Sequence, residues 1–252
     1  PSLRPKARAL APELYSQWHA QGAVVAVRVN PLDQDGMDDL AAVMRGRPDI
    51  VALPKVAEPT HVMQLADAVT GFERDYGIPE GATMLLPNIE FARGLVQLGA
   101  IVRVSPRVTA CLMAAEDLAA DLGAEREPDG FELAYARQRF LLECVAAGVV
   151  AVDCPYTFSD VAGVERETRW ARRLGYKAKS TVDPSHPAII NEVMTPNAAE
   201  LTRARAIVTA FEAARECGEA RVEVDGALVE VPTYTTAKRL LARHDELQGW
   251  TI

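Results

Sequence analysis

The sequence predicts an α/β chain folded as a TIM (β/α)8 barrel, and three observations predict it. Short apolar runs rich in Val, Ile and Leu alternate with longer segments of helical period, the pattern of parallel strands buried on both faces and joined by crossover helices. Each run closes on a polar or ionisable residue: Arg28, Lys55, Glu90, Asp117, Asp153 and Asp183. These six stand 27, 35, 27, 36 and 30 residues apart. An eight-unit barrel spends about 31 residues per unit and gathers its functional groups at the C-terminal ends of its strands. An open doubly wound sheet gathers them at one switch point instead.

The strands are expected at 23–30 (AVVAVRVN), 50–55 (IVALPK), 83–90 (TMLLPNIE), 109–117 (TACLMAAED), 149–155 (VVAVDCP) and 177–184 (KAKSTVDP). Between them, 37–45, 59–76, 91–102, 131–147 and 161–174 read as helices, with Asp35, Glu58 and Asp160 near helix starts. After Pro196 the pattern changes to a long helix (198–217), a hairpin RVEVDGALVEV turning on Asp225-Gly226, and a last helix (235–247). Six units are visible where eight close a barrel, so residues 1–196 are expected to supply strands 3 to 8, with the first two βα units upstream of residue 1. Residues 197–252 form an extension that, with no barrel interior left to complete, is expected to pack on a neighbouring protomer.

Composition narrows the function classes. With 49% apolar and 25% charged residues the chain has the usage of an ordinary globular protein, and its net charge of −8 repels nucleic acid over most of the surface. Cys111, Cys144, Cys154 and Cys217 lie far apart without a C-x-x-C pair, which indicates neither a zinc site nor a disulfide framework; they read as reduced thiols of a cytoplasmic protein. No run reaches the roughly 18 apolar residues of a membrane span, and no membrane partner is expected. His19, His61, His186 and His244 are assigned surface or packing roles, and no nucleophile elbow, P-loop or dinucleotide fingerprint occurs.

Glu90 and Asp117 end runs one βα unit apart, which in a barrel sets two carboxylates side by side at the mouth. Two carboxylates with water and substrate oxygens suit Mg²⁺; the same placement also suits helix N-terminal acids answering the helix dipole. Arg28 sits in an apolar run, where a guanidinium fork suits a substrate carboxylate, and Lys55 ends the next run. Internal ion pairing with Glu90 or Asp117 is the plainer alternative for both cations.

VRVNP (27–31), LPKV (53–56), LPNIEFARGL (86–95), AAEDLAADLG (114–123), VDCPYTFSD, TPNAAEL and VDGALVEVP follow one another in an order that resembles the HpcH/HpaI aldolase and citrate lyase beta-subunit-like superfamily. The resemblance covers nearly the whole chain. It implies a TIM barrel, Mg²⁺ held by Glu90 and Asp117, and Arg28 gripping an oxoacid carboxylate, with Lys55 and Asp183 among the substrate contacts. It further implies reversible Claisen-type cleavage of a hydroxyacyl-CoA thioester such as malyl-CoA or citramalyl-CoA. The oxoacid and thioester partners would be of the glyoxylate, pyruvate, oxaloacetate or acetyl-CoA class, in a trimeric or hexameric homo-oligomer. Within the same resemblance stand a citrate lyase beta subunit acting on a carrier-protein thioester, a malyl-CoA thioesterase, and a catalytically degenerate barrel acting as a binding subunit.

In lyases of this group a tail acid reaches a neighbour's site as acid/base, and the matching position here is Glu230. Departures from the family pattern are specific. G-[AT]-E-D reads Ala114-Ala115-Glu116-Asp117, and GK-x-x-IHP-x-Q reads AKSTVDPSHP, so that Asp183 replaces a histidine. Glu230 stands where Asp is usual, and the LFVPG and DLEDAV motifs are absent.

Overall fold

A computed structural model describes residues 3–249, which divide into two compact units, residues 3–190 and 191–249. The division falls a few residues ahead of the boundary expected at 196.

The first unit is a curled, half-barrel parallel sheet of six strands paired in chain order. They are β1 (Ala26–Arg28), β2 (Ile50–Leu53), β3 (Met84–Ile89), β4 (Ala110–Met113), β5 (Val150–Asp153) and β6 (Ala178–Lys179), and among the described residues β1 and β6 are its two edges. All six expected runs contain a strand, but two strands stop short. The run at 109–117 leaves the sheet at Met113, and a helix over Ala115–Leu122 puts Glu116 and Asp117 in its first turn, where acids are favoured by the helix dipole. The run at 177–184 keeps only Ala178 and Lys179 in the sheet, so Asp183 lies in a loop four residues beyond the strand end.

Helices cover one face of this sheet: α1 (Arg4–Ala20), α2 (Met37–Val43), α3 (Pro59–Asp75), α4 (Ala92–Val96), α5 (Leu98–Ile101), α6 (Ala115–Leu122), α7 (Ala134–Ala147) and α8 (Val161–Leu174). Sequence period missed α1, whose Ala11 and Tyr15 are buried and whose Pro12 and Tyr15 press on Gly46 so closely that a Cβ there would sit 2.7 Å from each. The single helix expected at 91–102 is two short ones meeting at Gln97, whose side chain donates to the Ala57 carbonyl at 3.1 Å. Gly94 and Gly99, poor helix formers, weaken the continuous alternative. Asp160 caps α8 by accepting from Gly163 N–H at 2.6 Å, as its position near the helix start implies. The unit ends in α9 (Pro187–Met194), within which the chain passes from one unit to the other.

The second unit contains α10 (Ala198–Glu216), β7 (Val222–Val224), β8 (Ala227–Val229) and α11 (Val231–Gln248). Asn197 and Glu200 form a reciprocal capping box at the start of α10. Asp225 and Gly226 both have positive φ, 50° and 74°, the signature of the tight turn whose twist matches a two-stranded hairpin. Against the expectation that the tail lacks an interior, Ala204, Ile207, Phe211, Val229 and Ala237 form a small core, with the Phe211 and Tyr234 rings stacked 4.8 Å apart. Alternating apolar residues on the hairpin and a stripe on each helix are enough to close it.

Candidate functional site

Register and pleat decide which strand-end residues share a face. Arg28 pairs with Ala52, and Ala52 with Leu86; side chains alternate along β3, so Arg28 shares its face with Leu86, Asn88 and, by continuation, Glu90. This is the face away from the helices. Leu85, Ile89, Cys111 and Met113 occupy the opposite, helix-covered face and are fully buried.

Four of the six sequence-derived candidates gather around Glu90, which with Arg28 lies on the inner face. Glu90 is 3% exposed, one residue past β3. Burial pushes its carboxyl above the usual carboxylate range, and the charge of Asp117 pushes the same way. A hydrogen bond from the backbone N–H of Lys55 and the positive charges of Arg28 and Lys55 pull it back only in part. Glu90 therefore senses all three of the other groups. Asp117, Arg28 and Lys55 are exposed, and Arg28 is the last residue of β1 rather than an interior one. Lys55 takes φ 59°, an uncommon left-handed conformation for a residue with a side chain, and that turn points its amide toward Glu90. Below Glu90 on the same face, the buried Oδ1 of Asn88 has no hydrogen-bond partner among the described residues.

Beside these groups is a cavity of about 260 Å³ lined by Pro31, Leu32, Gln34, Lys55, His61 and Gln64, among others. Its first wall is the wide turn Leu32–Gly36 after β1. That turn is anchored from α1 and α2: Asp39, on α2, accepts from Asn30 N–H at 2.9 Å, from Asn30 Nδ2 at 2.7 Å and from Arg8 Nε at 2.8 Å. Sequence reasoning left α1 out and so missed this brace.

Asp183 and Glu230 stand outside the strand ends that carry these four groups. Asp183 Oδ1 accepts from the Ser185 N–H at 2.8 Å and its hydroxyl at 2.7 Å, which folds the loop after β6 back on itself. Glu230 belongs to the second unit, exposed just ahead of α11, where its side chain makes no capping bond. Asp153, also a strand-end acid, has the opposite parity to Glu90: it aligns with Lys179 and points under the helices. There Arg137 donates two bonds to it, Lys179 Nζ lies 2.7 Å from Oδ2, and Glu167 takes Arg137 at 2.5 Å. This buried quartet is structural, a distinction that strand-end spacing alone does not make.

Two of the glycine and acid positions in the quoted motifs acquire a reason. A Cβ on Gly94 would lie 2.3 Å from the Val56 carbonyl oxygen, so α4 can pack on the Lys55 turn only with glycine there. Asp121, one turn beyond Asp117 on α6, accepts from Ala92 N–H at 2.7 Å.

Two carboxylates, one of them raised above its usual range by burial and, to a lesser degree, by the other's charge, form a pair that a divalent cation would relieve, and Mg²⁺ needs only one or two protein carboxylates beside water and substrate oxygens. The donor set therefore fits Mg²⁺. Among the described residues no cluster of three or more His, Cys, Asp or Glu is suited to a metal. No helix among the described residues is long and apolar enough to cross a membrane.

The family model for HpcH/HpaI aldolase/citrate lyase matches residues 1–184. The citrate lyase subunit beta of Leuconostoc mesenteroides subsp. cremoris is 32% identical over 219 residues, covering 86% of this chain and 72% of that protein. A (3S)-malyl-CoA thioesterase of Cereibacter sphaeroides is 33% identical over 226 residues, covering 89% of this chain and 75% of that one. The structure of the CitE protein of Mycobacterium tuberculosis in complex with magnesium, acetoacetate and coenzyme A superimposes with a TM-score of 0.70 at 27% identity, covering 87% of this chain and 78% of that chain.

Proposed function

Because the chain belongs to the HpcH/HpaI aldolase/citrate lyase family, we propose that it is a magnesium-dependent carbon–carbon lyase of a hydroxyacyl-CoA thioester such as malyl-CoA or citramalyl-CoA. The observation that carries this reading is the Glu90–Asp117 pair, with Arg28 and Lys55 exposed beside it. Glu90 and Asp117 would hold the ion. Bound Mg²⁺ supplies positive charge that polarises the carboxylate and hydroxyl of the substrate.

Arg28 grips the carboxylate of the oxoacid half through its planar fork and keeps that half oriented as the bond breaks. Lys55 adds a second cation beside the cavity. Cleavage takes the hydroxyl proton to solvent, breaks the carbon–carbon bond and releases the oxoacid, leaving a thioester enolate whose carbon must be protonated. Glu230, supplied by a neighbouring protomer of a homo-oligomer, is the acid for that step, typically worth 10²- to 10⁴-fold. Asp183 stands where the family pattern has histidine, and as a substrate contact it would bring a carboxylate where the pattern has an imidazole.

Two relatives define the alternatives: the citrate lyase subunit beta points to a carrier-bound citryl thioester, and the malyl-CoA thioesterase to hydrolysis. Incubating the protein with malyl-CoA, citramalyl-CoA and citryl-CoA, with and without magnesium, separates them. Lyase action yields acetyl-CoA with glyoxylate, pyruvate or oxaloacetate and needs the metal. Free CoA thiol with intact hydroxyacid marks a thioesterase, and no turnover of any of the three sinks the CoA-lyase reading.

A further inference from the structure

Glu90 and Asp117 come from different βα loops, so their usefulness as a pair depends on what fixes one loop against the other. Between the strands the tie is the backbone bond from Ala114 N–H to the Ile89 carbonyl at 3.0 Å. Above the strand ends the chain continues as α4 on one side and α6 on the other, and a second tie is found there. Asp121 Oδ2 accepts from Ala92 N–H at 2.7 Å, a contact between residues 29 apart in sequence.

The placement of this bond is specific. Ala92 is two residues after Glu90 and is the first residue of α4. Asp121 is four residues after Asp117, so the two acids stack on one face of α6. An ionised acceptor makes the contact stronger than a neutral hydrogen bond. The far side of the Glu90 loop is held independently by the Lys55 amide and by the close approach of Gly94 to Val56, so releasing Asp121 frees the α6 side alone.

We propose that Asp121 is a positioning residue for metal binding: through Ala92 it holds the α4 and α6 loops together and so sets the spacing of Glu90 and Asp117. This role rests on the magnesium reading given above. Asp121 touches neither metal nor substrate in it, and acts only through the loops.

The test is direct binding of Mn²⁺, an EPR-visible substitute for Mg²⁺, to the full chain, together with melting of the metal-free protein and hydrogen exchange of the Ala92 amide. Asp121→Ala should weaken Mn²⁺ up to about tenfold, the lower end of what losing a direct hydrogen-bond partner of a ligand costs, because Asp121 acts one step further out. It should speed Ala92 exchange and leave the metal-free melting temperature within a few degrees of the parent. Asp121→Asn keeps an acceptor oxygen and should restore most of the affinity. Unchanged Mn²⁺ affinity in Asp121→Ala, or a fall in melting temperature with no fall in affinity, overturns the proposal. Glu90→Gln and Asp117→Asn separate it from the reading beneath it. If they abolish Mn²⁺ binding while Asp121→Ala does not, only the positioning role is lost; if they bind as the parent does, or the parent binds no Mn²⁺, both are lost.

Discussion

Gly94 lies against the backbone of Val56, with no room between them for a methyl group: a Cβ would come within 2.3 Å of the Val56 carbonyl oxygen. The obstacle is backbone and cannot rotate away. Gly94→Ala must therefore push α4 off the Lys55 turn, at a cost of about 1–3 kcal/mol for overpacking. Urea unfolding should show the loss, and Mn²⁺ affinity should fall with it because Glu90 sits at the root of α4. Wild-type stability in this variant would mean that the turn is softer than its contacts imply.

Glu90 should cost the metal-free protein stability. Its folded-state value is raised by burial and by Asp117, so its favourable contribution is complete in acid, below the ordinary carboxylate value, and is lost as pH rises through the raised one. At pH 7 to 8 the buried charge is a burden, and metal-free Glu90→Gln should melt above the parent, the difference shrinking toward pH 4. Magnesium should reverse the order. At a hundredfold excess over Kd it stabilises the parent by about 2.7 kcal/mol and leaves the variant unmoved.

Glu73 and Arg107 predict the opposite pH response. Burial raises the Glu73 carboxyl, but two bonds from Arg107, at 2.9 and 2.6 Å, and the N–H groups of Gly81 and Thr83 outweigh it and hold it below its usual range. That stability is present above the unfolded value, about 4.3, and is lost as pH falls through the depressed one. Glu73→Gln should therefore flatten the acid limb of a melting-temperature profile. Arg107→Ala, which strands the carboxylate, should cost about 3–5 kcal/mol at pH 7. An unaltered acid limb in Glu73→Gln would place the acid sensitivity elsewhere.

Glu230→Gln should lower kcat by about 10² or more while oxoacid and Mg²⁺ binding stay near the parent values, the pattern of a lost proton-transfer group. A silent substitution would return Glu230 to the role of a solvated hairpin acid. Full activity in a dilute, folded monomer would rule out supply from a neighbour.

Spacing along the chain made the six strands legible, because a parallel strand and its crossover helix consume a near-constant length. It also put Arg28, Lys55 and Glu90 at strand ends. It did not distinguish Glu90 from Asp153, since a one-residue change of parity moves a side chain from the inner face to the helix side, and strand ends are uncertain by more than that. Asp117 reads as strand from composition because AAED prolongs an apolar run, whereas the chain turns into α6 after Ala114. α1 escaped notice because two prolines and three basic residues in its first nine positions hide its period, though Pro5 lies in its first turn and Pro12 and Tyr15 still pack on Gly46. The asparagine and acid that brace the turn after β1 depend on that helix and were invisible with it.

The quartet under β5 and β6 constrains how this sequence can drift. Arg137 and Lys179 carry two positive charges, Asp153 and Glu167 two negative ones, and the side chains of Lys179 and Asp153 have no exposed surface at all. Any lone replacement by a neutral residue leaves an odd charge sealed in the interior, the costliest kind of single step, whereas removing one cation and one anion together can be nearly neutral. Changes at these four positions should therefore be inherited in pairs, and Asp153→Asn should be tolerated far better alongside Lys179→Met than by itself.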